Sequence, residues 1–177
     1  MSKVEFLQMV PALLFGISLA EMALFLGRAS KGDRKLYWEH LVLIVIAFEV
    51  IVFNWYIFYD RIGIIEASYL NFVAQLFSPL ASLIYVANLL VKNNTPDEPV
   101  QNYFNRYRKR IFLSLSLFLT VNLVTVLYFN PNIHVGFIPV IPLTVVLINA
   151  FYDLKWLRIL AYAVKLVQVV AFCIYFK

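Results

Sequence analysis

An all-α bundle of membrane-spanning helices, with six spans and no soluble domain, is the fold class this chain predicts. Two observations carry it. Hydrophobic residues make up 63% of the 177 residues and charged residues only 14%, with a mean hydropathy of +0.81. A soluble domain is nearer about 45–50% apolar and 25% charged. So large an apolar excess cannot be buried in one soluble core of this length, so lipid must solvate much of the surface. The second observation is that the apolar residues gather in six runs. Each run approximates the ~20 residues a helix needs to cross hydrocarbon. These runs are too long for the strands of a soluble α/β core, and 5 glycines and 7 prolines punctuate them sparsely.

The first run covers about 6–26. Lys3 before it suits the n-region of a signal peptide. The run nevertheless continues into a basic cluster with no small-residue cleavage site ahead of it, which predicts a retained span. It carries Ala12, Gly16, Ala20, Ala23 and Gly27 at spacings of four, four, three and four. Small residues on one face let helix backbones approach closely in lipid. A packing seam inside the chain is the first reading, and an interface between protomers is the second. Glu21 follows Ala20 in the sequence, ~9 Å from the cytoplasmic end by helical rise.

The second run, about 38–59, opens on Tyr37-Trp38-Glu39-His40. Aromatics there read as an interfacial belt, with Glu39 and His40 solvated beside it. Glu49 lies ~17 Å into the same run. A charge at that depth costs a few kcal/mol, so it faces a bundle interior, pairs, or lines an aqueous path. The third run, about 67–91, carries Gln75, Ser78 and Pro79 near its middle.

The loop 92–110 follows. Thr95 and Glu98 read as a capping box, with Pro96 in the first turn. Asn93-Asn94-Thr95 matches a glycosylation sequon, which a cytoplasmic location makes a chance match. Tyr103, Phe104 and Tyr107 share one helical face among Arg106, Arg108, Lys109 and Arg110. That pattern predicts an interfacial helix running into the fourth span, about 111–129. The alternative is an arm that docks a cytoplasmic protein. Asn122 lies near the centre of that span. The fifth, about 133–152, holds Gly136, Pro139, Pro142 and Asn149. Proline frees carbonyls that neighbours must satisfy, and Asn122 and Asn149 are placed to do so.

The sixth run, about 157–176, is led by Lys155 and followed by Arg158, Tyr162, Lys165 and Gln168 at spacings of three, four, three and three. That is one polar face on an apolar helix. Lys165 lies ~15 Å from the start, which matches it in depth with Glu49. Arg158 and Glu21 match each other nearer the cytoplasm. The expected intramembrane polar site is therefore Glu21, Glu49, Arg158, Tyr162, Lys165 and Gln168. Two buried ion pairs that only fix helix packing would read the same way.

The basic residues sort by side. Arg28, Lys31, Arg34 and Lys35, then Lys92, Arg106, Arg108, Lys109 and Arg110, then Lys155 and Arg158 make 11 in three loops. The opposite side holds Lys3, Arg61 and Lys177. The positive-inside rule then places both termini outside, with anionic lipid at the basic loops. Grouping at span ends also explains the pI of about 9.3 without nucleic acid. The halves before and after the long loop run in opposite directions, with no sequence similarity between them.

Catalytic signatures are absent: there is no HExxH, no GxSxG and no Gly-rich phosphate loop. His40 and His134 fall on opposite sides of the membrane, and Cys173 is the single cysteine. No metal site, cofactor, disulfide or enzyme activity is expected.

Leu19-Ala-Glu-Met-Ala-Leu-Phe-Leu-Gly-Arg28, then Leu36-Tyr-Trp-Glu-His-Leu41, then Asn54-Trp55 resembles a group of small six-helix bacterial membrane proteins without an assigned activity. The pattern is a first span ending in Gly-Arg, a Tyr-Trp-x-His-Leu start to the second, and aromatics at its far end. The resemblance covers about the first third of the chain. It implies a bacterial inner-membrane protein and carries over no functional residue.

The sequence thus predicts passage of an ion or small solute by a homo-oligomeric channel or small transporter. The alternatives are a non-conducting sensor, effector or assembly subunit docking a cytoplasmic partner, and the substrate-binding membrane component of a larger importer.

Overall fold

A computed structural model describes residues 3–31, 37–60, 68–90, 100–129, 140–152 and 154–175. Six helices fill them: α1 (Lys3–Ser30), α2 (Trp38–Asp60), α3 (Tyr69–Leu89), α4 (Val100–Phe129), α5 (Val140–Phe151) and α6 (Lys155–Tyr175). No strand occurs among the described residues. Helices α1 to α4 are long and apolar enough to cross a membrane. Helix α5 is an apolar helix of 12 residues, ~18 Å long by helical rise. The residues expected to extend it, with His134, Gly136 and Pro139, lie outside the described residues, as do the capping box at Thr95 and the sequon.

Each helix follows its residue pattern. On α1 the buried positions are Leu7, Pro11, Phe15, Ser18, Met22, Phe25 and Ala29, spaced by three or four as one helical stripe requires. Ser68 caps α3, its hydroxyl accepting from the Leu70 N–H at 3.2 Å. Helix α4 is continuous from Val100, so the amphipathic start and the apolar span are one rod of ~45 Å.

Helix α2 is the hub, packing on α1, α3, α4 and α6. Around it run α1 on α3, α3 on α4, α4 on α5 and α5 on α6. The core is built of large side chains sealed from outside, with Phe15, Leu43, Ile51, Tyr85, Phe104, Phe112 and Phe118 fully buried. Tyr85 stacks on Phe118 at 6.0 Å. Consecutive helices alternate in direction. At one end the α3 carbonyls of Asn88 and Leu90 accept from Tyr103 of α4, both at 3.3 Å. There too Arg108 of α4 donates to the Asn149 carbonyl at 2.8 Å and that of Tyr152 at 3.4 Å. At the other end Tyr128 of α4 donates to Asn71 of α3 at 3.0 Å.

The aromatic face of the α4 entry packs inward. Phe104 is buried against Tyr37, with ring centroids 5.3 Å apart. Tyr103 and Tyr107 pack on the same core at 4.7 Å from each other. The side chains expected to lie in the lipid interface instead join α4 to α2 and α3. Exposed basic groups remain outside: Lys109 lies over the Phe151 ring at 5.4 Å and Arg110 over Tyr107 at 5.6 Å.

Candidate functional site

Helices α2 and α6 start at the same end and run the same way, so their polar residues meet at matched heights. Glu39 and Arg158 meet first. The Arg158 Nε donates to Glu39 Oε2 at 2.7 Å and Nη2 to Oε1 at 3.3 Å. Tyr37 donates to Oε1 at 2.6 Å and Tyr162 to Oε2 at 3.2 Å. Each carboxylate oxygen thus has two donors, and the Glu39 side chain is 1% exposed. A two-pronged guanidinium and two phenols are what a buried carboxylate needs to remain ionised away from water. Trp38 closes the outside, edge-on to Tyr162 at 6.0 Å.

Lys165 and Glu49 meet deeper, Nζ to Oε2 at 3.4 Å. This is the contact that depth along the two spans predicts. The side chains are 11% and 18% exposed. The Glu49 Oε2 is buried with no hydrogen bond, so the pair is an ion contact looser than the one above it. Between the two pairs a cavity of about 20 Å³ opens among α2, α4, α5 and α6, with Tyr162 and Lys165 as its polar residues beside Leu43, Ile46, Pro142 and Val146. That volume is the size of about one water molecule, within a surface that is almost wholly apolar.

His40 takes the opposite side of α2. It is fully buried, its Nε2 lies 2.6 Å from the Leu89 carbonyl, and Phe25 meets the ring edge-on at 5.0 Å. A carbonyl only accepts, so Nε2 carries the proton and the buried Nδ1 is a bare acceptor without a partner. The imidazole satisfies one of the α3 carbonyls that helix geometry leaves open at a C-terminus.

The geometry corrects three expectations. Glu39 and His40 are not solvated interface residues: packing from α1, α3, α4 and α6 covers both. Arg158 does not pair with Glu21. It turns to Glu39, and Glu21 is exposed on α1 with no hydrogen bond or ion pair among the described residues. Equal depth fixes height but not direction around the helix, and Glu21 points away from α6. The small-residue row is not a seam inside the chain. Ala20, Ala23 and Gly27 are exposed, Ala12 and Gly16 half-buried. A Cβ built on Gly16 or Gly27 meets nothing within 4 Å.

Tyr162 is buried in the site, while the side chain of Gln168 lies outside the described residues. Sequence reasoning missed Tyr37, Glu39 and His40. The signal was present, because the height match that joins Glu49 to Lys165 also joins Glu39 to Arg158. No group of three or more His, Cys, Asp or Glu side chains that could hold a metal occurs among the described residues.

These features define a helical bundle with a buried, ion-paired seam. Comparison of the chain with protein-family models, curated proteins and solved structures finds no match in any of the three.

Proposed function

We propose that this chain is a six-span protein of the bacterial inner membrane that passes a proton or other small ion along the α2–α6 seam. It works as a homo-oligomeric channel or small transporter, with both termini outside. One observation carries the reading: two carboxylate–cation pairs stand one above the other on a single seam, with a water-sized cavity between them. Charges at bilayer depth are expensive, and such groups mark ion paths and proton relays. The upper pair is fully hydrogen-bonded and locked. The lower pair is the looser contact, its carboxylate oxygen in ion contact with Lys165 at 3.4 Å but without a hydrogen bond, which suits exchange with a passing ion or water. The docking alternative has less support, since Tyr103, Phe104 and Tyr107 are engaged within the bundle.

The test is flux into liposomes containing the purified full chain, read with a pH-sensitive dye and with dyes for small ions. Wild type should dissipate an imposed gradient. The Glu49→Gln/Lys165→Met double variant, which removes both charges together, should stay folded and lose most of that flux. A folded double variant with unaltered flux would reduce the pair to a packing device.

A further inference from the structure

On the far side of α2 from Lys165, a second polar cluster joins α2, α3 and α4 near the middle of α3. Ser78 is fully buried there. Its Oγ lies 2.5 Å from Asn122 Oδ1 and 3.3 Å from Asn54 Oδ1. The Asn54 amide is oriented by its own Nδ2, which donates to the Val50 carbonyl at 2.7 Å. The oxygen facing Ser78 is therefore fixed. The 2.5 Å contact to Asn122 suits O–H···O and is shorter than the ~2.7–3.2 Å of N–H···O, so that amide too presents its oxygen. Ser78 has one hydroxyl hydrogen for two carbonyl oxygens, and the shorter contact takes it. Asn54 Oδ1 is left without a hydrogen. Asn122 Nδ2 is buried with no acceptor, and Gln75 Oε1 is buried with no donor in a residue only 2% exposed. Gln75 precedes Ser78 by three residues and so shares its face. Pro79 adds to the shortage, having no N–H for the Gln75 carbonyl one turn back.

The unmet groups are two side-chain acceptors and one donor, all neutral. A cation would be repelled by the Asn122 N–H and an anion by the carbonyl oxygens. We infer that Asn54, Gln75 and Asn122, grouped around Ser78, bind one water-sized neutral dipole, a molecule offering one lone pair and two hydrogens, which is to say a buried water. Buried waters typically make about three hydrogen bonds to groups the protein leaves unpaired. This one ties α2, α3 and α4 together in a region where hydrocarbon offers no substitute. The inference is independent of the charged seam and stands whether or not that seam conducts.

The sign of a stability change tests it. Removing an unsatisfied buried polar group raises stability, whereas removing one arm of a satisfied network lowers it. Gln75→Leu should lower Tm by several degrees in detergent, and Asn122→Leu, which also removes the direct Ser78 bond, should lower it further. The double variant should fall little further than the worse single one, because both lose the same guest. A rise in Tm for either variant, or additive losses, would overturn the site. A second readout uses wild type and needs no variant to fold. With 15N-labelled asparagine, the Asn122 side-chain amide should cross-relax with water protons in NMR spectra while remaining protected from bulk exchange. An Asn122 amide with no water contact would equally sink it.

Discussion

Glu39 has much to lose. Its carboxylate is nearly sealed and held by Arg158, Tyr37 and Tyr162. Arg158→Met would strand a buried negative charge, at a cost of ~3–5 kcal/mol. Glu39→Gln in the same chain should recover most of the loss, and urea or thermal unfolding of the four chains in the cycle measures it. If the two single losses simply add, the pair does not interact. The same cycle at Glu49 and Lys165 should give a smaller coupling, because that contact is 3.4 Å and both side chains are partly open. The deeper pair was legible in the sequence, since a lone acid and a lone base at one depth have few other choices. The upper pair was not. A Glu one residue past a Trp at the edge of an apolar run looks interfacial. What buries it is α4 and α6 arriving from distant parts of the chain.

Helices were the most legible level, because a long apolar run reads directly as a helix. The boundaries of α2, α3 and α6 lie within a few residues of the runs that predict them. The direction each face takes was far less legible, and α1 shows why. Its small residues and its buried stripe share the same three-four spacing and differ only by rotation, which spacing alone does not reveal. Since nothing meets a Cβ at Gly16, Gly16→Ala should fit the single chain and stabilise α1 by up to about 1 kcal/mol. Gly16→Leu should also leave the chain folded. If the open face joins protomers, this bulkier side chain should shift native mass spectra from oligomer to monomer. An unchanged mass would assign the face to lipid. Arg108 makes a different kind of element-scale contact, closing the C-terminal end of α5 through Asn149 and Tyr152. Charge-assisted bonds to terminal carbonyls also complement the helix dipole. Arg108→Met should cost about 1–2 kcal/mol by these terms. It should speed hydrogen exchange at the α5–α6 turn ahead of the rest of the bundle, and uniform exchange would show that Arg108 holds nothing there.

At the scale of the whole molecule, the alternation of helices turns a charge count into a topology. The C-terminal ends of α1, α3 and α5 gather with the N-terminal ends of α2, α4 and α6, as Phe25–His40, Tyr103–Leu90 and Arg108–Asn149 show. Arg28, Lys31, Arg106, Arg108, Lys109, Arg110, Lys155 and Arg158 therefore belong to one end of the bundle, while Lys3 belongs to the other. Not all of these charges are free to signal orientation. Arg158 is buried on Glu39 and Arg108 caps α5, yet the exposed Lys109 and Arg110 keep the bias in the same direction. Lys and Arg flanking short loops are retained on the cytoplasmic side. That end, with the Glu39–Arg158 pair, should face the cytoplasm, and the Glu49–Lys165 pair should lie deeper, reached through the locked pair and Tyr162. The expectation is checked by placing single cysteines at position 2 and within 92–110 in a Cys173→Ser chain. An impermeant maleimide added to intact cells should label position 2 and spare the loop until the membrane is opened. Labelling with the sides exchanged would put the locked pair outside, and a path entering from the cytoplasm would then meet Glu49 and Lys165 first.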